Sequence, residues 1–148
     1  MTGQRIEFFV PGHPVGQGSK RHVGHGVMIE SSPRTRPWRA TVTAAAIEAR
    51  GGRPAIIGPV WFCFTSTFAR PASHFGTGRN AGVLRPGAPA FPATRASGDA
   101  DKLTRAIFDA LTDAGVWRDD AQVCTMAVGK RWVEPDGTPG AHVALEPA

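Results

Sequence analysis

The stretch SGDADKLTRAIFDALTDAGVWRDD, residues 97–120, constrains the chain more than any other. From Leu103, apolar residues recur at Ile107, Leu111 and Ala114, the stripe of an amphipathic helix that must be laid against a core. Ser97 or Asp99 can cap its start, and Gly115 can end it. Carboxylates flank this helix, with Asp99 and Asp101 at its beginning and Asp119 and Asp120 just past its end. If the following strand runs back alongside the helix, all four acids converge on one region. Clustered carboxylates suit a hard divalent cation, and Mg²⁺ takes one or two of them plus waters and substrate phosphates. The same residues have a plainer use, because aspartates cap helix N-termini and favour the dipole, and an Asp-Asp pair makes a solvated turn. Spacing alone leaves both uses open.

At 148 residues the chain is expected to form a single domain with a real core. No apolar run is long enough to span a membrane, and MTGQRIEFFV has neither the apolar core nor the cleavage site of a signal peptide. Cys63 and Cys124 both lie in strand-like apolar runs without metal-ligand spacing, so reduced, buried thiols are expected. These features together predict a cytoplasmic protein. Charge is unevenly spread: residues 1–95 hold 12 Lys+Arg against 3 Asp+Glu, whereas residues 96–148 hold 5 against 9. A basic body neutralises phosphates, and an acidic island within it would repel DNA unless a cation filled it. The asymmetry also fits a basic protein whose acids cluster without function.

Gln4 to Val10 reads as a first strand. The Gly- and Pro-rich PGHPVGQGSKRHVGHG that follows reads as a loop, and its Gly18-Ser19-Lys20 order does not fit a phosphate-binding loop. Lys20 and Arg21 are candidates for phosphate contact. His22 and His25 are either ligands or solvent-exposed side chains of a flexible loop. Thr35 to Arg50 has high helix propensity, with Pro37 early and Gly51-Gly52 as the stop, and an inward stripe of Trp38, Val42, Ala45 and Ala49. Arg34, Arg36 and Arg39 crowd its entrance. VWFCFTSTF, residues 60–68, alternates and is apolar on both faces in its first half, which predicts a strand in the middle of a sheet.

Residues 70–98 have no periodicity, carry Arg70, His74, Arg79, Arg85 and Arg95, and contain no acid. A loop of this length is functional or disordered, and a mobile DNA-embracing arm is the functional reading. Gln122 to Val133 reads as a strand, residues 134–137 as a turn, and Ala141 to Leu145 as a last strand, the hairpin partner of the one before. About four strands and two helices predict an α+β domain, a small mixed sheet with the helices on one face.

DADKLTRAIFDALTDAGVWRDDAQV resembles the signature of the RusA family of Holliday-junction resolvases, small Mg²⁺-dependent endonucleases common in phages and prophages. That signature has D-x-D-N, a lysine four residues after the second Asp, a helix ending in D-A-L, then a D-D pair and a strand. IEFFVPGHPVGQGSKR followed by a W-R helix is also similar to phage members. The resemblance implies that Asp99, Asp101 and Asp120 are metal-binding and catalytic, holding one or two Mg²⁺ (or Mn²⁺ as a substitute) for metal-assisted phosphodiester hydrolysis. Arg105 stands where the family has its functional lysine, and Lys102 replaces the Asn. Arginine is planar and not deprotonated, so Arg105 is expected to stabilise charge rather than transfer a proton. The expected DNA contacts are Lys20, Arg21, Arg70, Arg79, Arg85, Arg95 and Lys102. A four-way DNA junction is the implied partner, cut by a homodimer in the cytoplasm of a bacterial host, with no membrane involved. A nuclease preferring flaps or forks, a non-catalytic branched-DNA-binding protein and a protein that grips an acidic partner are the other readings.

Overall fold

The computed structural model describes residues 4–18, 20–26, 28–30 and 32–148, with the backbone alone at 20–22 and 28–30. Its elements are β1 (Ile6–Pro11), β2 (Lys20–His22), β3 (Met28–Glu30), α1 (Thr35–Arg50), β4 (Val60–Phe68), α2 (Ala100–Asp113), β5 (Val123–Trp132) and β6 (Gly140–Pro147). Four strands make a mixed sheet in the order β1-β6-β4-β5, and β2 and β3 form a separate antiparallel pair. β4 runs parallel to β5 and antiparallel to β6, so α2 belongs to the crossover that joins two parallel neighbours. No helix among the described residues is long and apolar enough to cross a membrane.

Local chemistry sets these elements. α1 ends where Gly51 turns left-handed (φ 60°), letting its N–H bond to the Ile47 carbonyl. β4 buries every second residue, Val60, Phe62, Phe64, Ser66 and Phe68, on the side covered by the helices. α1 packs on β1 and α2, and α2 packs on β5, so both helices share one face of the sheet. Leu103, Ala106, Ile107, Ala110 and Leu111 of α2 join Phe62, Phe64, Val143 and Leu145 in the core. Phe62, Phe108 and Trp117 meet at tilted or edge-on angles with centroids 4.9–6.2 Å apart.

The last strand departs from the expected hairpin. β6 pairs with β1 and β4 and has no ladder with β5. Ala141, Val143, Ala144 and Leu145 of β6 are all buried, in keeping with a strand in the middle of the sheet. β5 leaves Cys124, Thr125, Met126 and Ala127 exposed and serves as an edge. At Gly140 any Cβ would lie 2.1 Å from the Val10 carbonyl oxygen, so glycine alone admits the approach of β1. The cysteines also differ from expectation. Both are free, but only Cys63 is partly covered, and Cys124 is exposed on the edge strand.

Residues 70–98 contain three single 3-10 turns, Ala72–His74, Gly78–Asn80 and Arg95–Ser97. The segment is tied to the end of β5, where Trp132 Nε1 donates to the Pro89 carbonyl at 3.0 Å and the Trp132 ring packs against His74 and Arg70.

Candidate active site

The first turn of α2 decides what its aspartates are free to do. Asp99 occupies the N-cap position in extended backbone (φ −77°, ψ 139°), yet its side chain makes no capping hydrogen bond. Ser97 is buried and does not cap either, because its hydroxyl lies 2.6 Å from the Pro92 carbonyl and 2.8 Å from that of Thr94. Asp99 instead faces Lys102 Nζ at 3.6 Å and lies in an open cleft of about 670 Å³. Arg34, Arg95, Lys102 and His13 line that cleft with it. Burial of the His13 ring, helped by the nearby Arg34 cation, holds its pKa below the usual histidine range.

Asp101 and Arg105 follow on α2 at i, i+4 spacing, both exposed. The loop at 12–18 lies against this helix: Gln17 N–H donates to the Lys102 carbonyl at 2.9 Å. A Cβ on Gly16 would come 3.0 Å from Lys102 Cβ, so the contact is backbone-close. Lys130 of β5 donates to the Gly98 carbonyl at 2.7 Å, fixing the residue that precedes Asp99.

Asp119 and Asp120 have separate jobs. Asp119 Oδ1 accepts from Ala121 N–H at 2.8 Å, and Gln122 Oε1 accepts from Asp119 N–H at 3.2 Å, a reciprocal capping box on a single 3-10 turn. Gln122 Nε2 also donates to the carbonyls of Ile56 and Gly58, both at 2.9 Å. Asp120 opens that turn, and although the residue is exposed, its carboxyl pKa is raised. Partial desolvation is the first cause, followed by hydrogen bonding and repulsion with Asp119 and repulsion from Asp109; Arg105 pulls the other way.

The candidate residues therefore fall into distinct places. Asp99, Lys102 and Arg95 share the cleft, and Arg105 acts electrostatically on Asp120. Among the described residues, no three of His, Cys, Asp and Glu are grouped closely enough to form a ready-made metal cage. Exposed carboxylates remain suitable donors for Mg²⁺, which needs one or two of them plus water. Arg70 is half-buried, donates to Pro89 at 2.8 Å and sits over Trp132, so it holds the arm together. Arg79 and Arg85 are exposed on the arm, and Arg85 Nε also donates to the Phe75 carbonyl at 2.9 Å. The side chains of Lys20, Arg21 and His22 lie outside the described residues; His25 is exposed.

Sequence reasoning passed over a second polar cluster. Asp109 accepts a hydrogen bond from the buried Gln17 amide and faces Arg39, which pairs with Asp113 at 2.7 Å. Asp109 could have been found from its i+4 relation to Arg105. Gln17 gave no such signal, because its contact spans most of the chain.

The model of the family described as endodeoxyribonuclease RusA matches residues 11–146, nearly the whole chain. No curated protein is recognisably similar to it. The match takes in the Asp99–Asp101 helix start, Arg105 and the Asp119–Asp120 turn, and the chain belongs to the RusA endodeoxyribonuclease family, hydrolases of DNA phosphodiester bonds.

Proposed function

We propose that this enzyme is a Mg²⁺-dependent, structure-selective endodeoxyribonuclease that resolves four-way DNA junctions as a homodimer in the cytoplasm. The observation that carries the reading is Asp99: it stands at a helix N-cap, makes no capping bond, and opens onto a cleft lined by Arg34, Arg95 and Lys102. A carboxylate not spent on capping and held only by a long ion pair to Lys102 at 3.6 Å suits a site that receives a phosphate and a divalent ion together.

Asp99, Asp101 and Asp120 would hold the metal as exposed donors, one or two of them to each ion with water completing the shell, because no ready-made cage of three stands among the described residues. When bound, the ion supplies Lewis-acid activation of water and stabilises the leaving oxygen. Every other contribution comes from the chain itself. Arg34, Arg95 and Lys102 draw the scissile strand into the cleft. Arg105, one turn beyond Asp101, offsets charge that develops on the phosphoryl oxygens in the transition state. Lys130 and Gln122 are positioning residues, anchoring Gly98 beside Asp99 and the turn that carries Asp120. Two copies would be required for paired cuts across a two-fold symmetric junction.

The test is cleavage of a synthetic four-way junction against linear duplex, flap and fork of matched length, with Mg²⁺ and with chelator. Preferential, Mg²⁺-dependent junction cutting supports the proposal. Preferential cutting of flaps or forks would retain the nuclease and reassign its substrate, and cutting that survives chelation would remove the metal.

A further inference from the structure

Three of the eight exposed large apolar side chains among the described residues lie on the arm, and two of them are adjacent: Val83 is 56% and Leu84 45% exposed. They are presented by a built turn. Gly76 N–H donates to the Val83 carbonyl and Arg85 N–H to that of His74, both at 2.9 Å, while Val83 N–H donates to Asn80 at 3.0 Å. The turn is tight, since a Cβ on Gly76 would meet Asn80 atoms at 2.7 and 2.8 Å. At its foot, His74 stands edge-on to Trp132 with centroids 5.2 Å apart. An apolar pair held out to water in this way invites a partner.

The surroundings select that partner. The arm, residues 70–98, carries four arginines and no acid, and exposed Arg79 and Arg85 flank the pair in sequence. A cationic rim is suited to a polyanion. The apolar surface that DNA offers lies between its stacked base pairs, which proteins enter by inserting apolar wedges. We infer that Val83 and Leu84 form a wedge that enters the branch point of the DNA and unstacks the pairs beside it, with Arg79 and Arg85 on the flanking phosphates. This inference rests on the junction reading above and adds how the branch itself is recognised. The wedge acts at the branch, and the carboxylates act at the scissile phosphate.

The experiment uses a four-way junction with 2-aminopurine beside the branch, with Ca²⁺ in place of Mg²⁺ to keep the strands intact. Wild type and Val83→Ser/Leu84→Ser are compared, both substitutions being at exposed sites and checked by thermal melting. Wild type should raise the 2-aminopurine fluorescence several-fold. The double variant should lose that rise and about tenfold in junction affinity, while its duplex affinity stays within about twofold because the phosphate contacts remain. Arg79→Ala should differ in kind, weakening junction and duplex alike and lowering the salt slope by about one. An equal fluorescence rise with the double variant would overturn the wedge. So would a change in its sedimentation, which would make the pair a subunit contact. Wild type that does not prefer the junction over duplex would sink the wedge together with the reading beneath it, an outcome separable from the others because it needs no variant.

Discussion

Asp99→Ala separates a helix cap from a catalytic carboxylate. A capping aspartate typically contributes about 1 kcal/mol, within a range of about 0.5–2. Asp99 makes no capping bond, and its interaction with Lys102 spans 3.6 Å between side chains that are 59% and 39% exposed. An exposed pair three residues apart on a helix contributes about 0.3 kcal/mol. An exposed charge near the helix N-terminus adds about as much. Alanine at position 99 should therefore cost about 0.5 kcal/mol in a urea melt. Asp119→Ala, which removes a capping bond at 2.8 Å, should cost about 1 kcal/mol. Junction cleavage should fall in Asp99→Ala by at least about a hundredfold, the scale expected when transition-state charge stabilisation is lost. A loss of about 1 kcal/mol or more of stability in Asp99→Ala, the size of a true cap, with the folded fraction cutting at the wild-type rate, would make Asp99 a structural cap and not a catalytic carboxylate.

Other perturbations probe the same frame. Gln122→Ala removes four hydrogen bonds, two accepted from Arg118 and Asp119 and two donated to Ile56 and Gly58, and should cost about 2–4 kcal/mol by urea melt. Its residual folded protein should cut slowly because the turn bearing Asp120 is loosened. For His13 the folded pKa lies below the unfolded value, so the unfolded chain binds the proton more readily. Its contribution is full above about pH 6.5 and is lost as pH falls through that value toward the folded pKa. His13→Asn should flatten the stability-versus-pH curve in that window, and an unchanged slope would remove His13 as its source. Cys124 should react with an aromatic disulfide reagent in the native state well before Cys63, as its exposure on the edge strand requires.

The helical and central-strand portions of this fold were legible because their signals are local. Thr35–Arg50 carries its own early proline and terminal glycine, and Val60–Phe68 alternates without a break. The placement of β6 was not legible, since a short turn favours pairing with the previous strand. Ladders to β1 on one edge and β4 on the other insert the strand between them, with Ala141, Val143 and Leu145 buried on one face. Exposure of Cys124 follows from the same rearrangement, which leaves β5 on the edge. In the site, the helix carrying Asp99, Asp101 and Arg105 could be read from its periodicity. The Lys130–Gly98, Gln17–Asp109 and Gln122–Ile56 contacts could not, because each joins residues far apart in the chain. Spacing alone does not separate Asp119 from Asp120, and only the family resemblance singles out Asp120. The capping bond to Ala121 distinguishes them.

The most direct measurement is denaturing-gel mapping of the nicks made in a four-way junction by wild type and Asp101→Asn in the presence of Mg²⁺. The account predicts paired nicks at symmetry-related positions for wild type, and none for a variant that still binds the junction. Tight junction binding without nicks from either protein, or symmetric nicks from both, would contradict it.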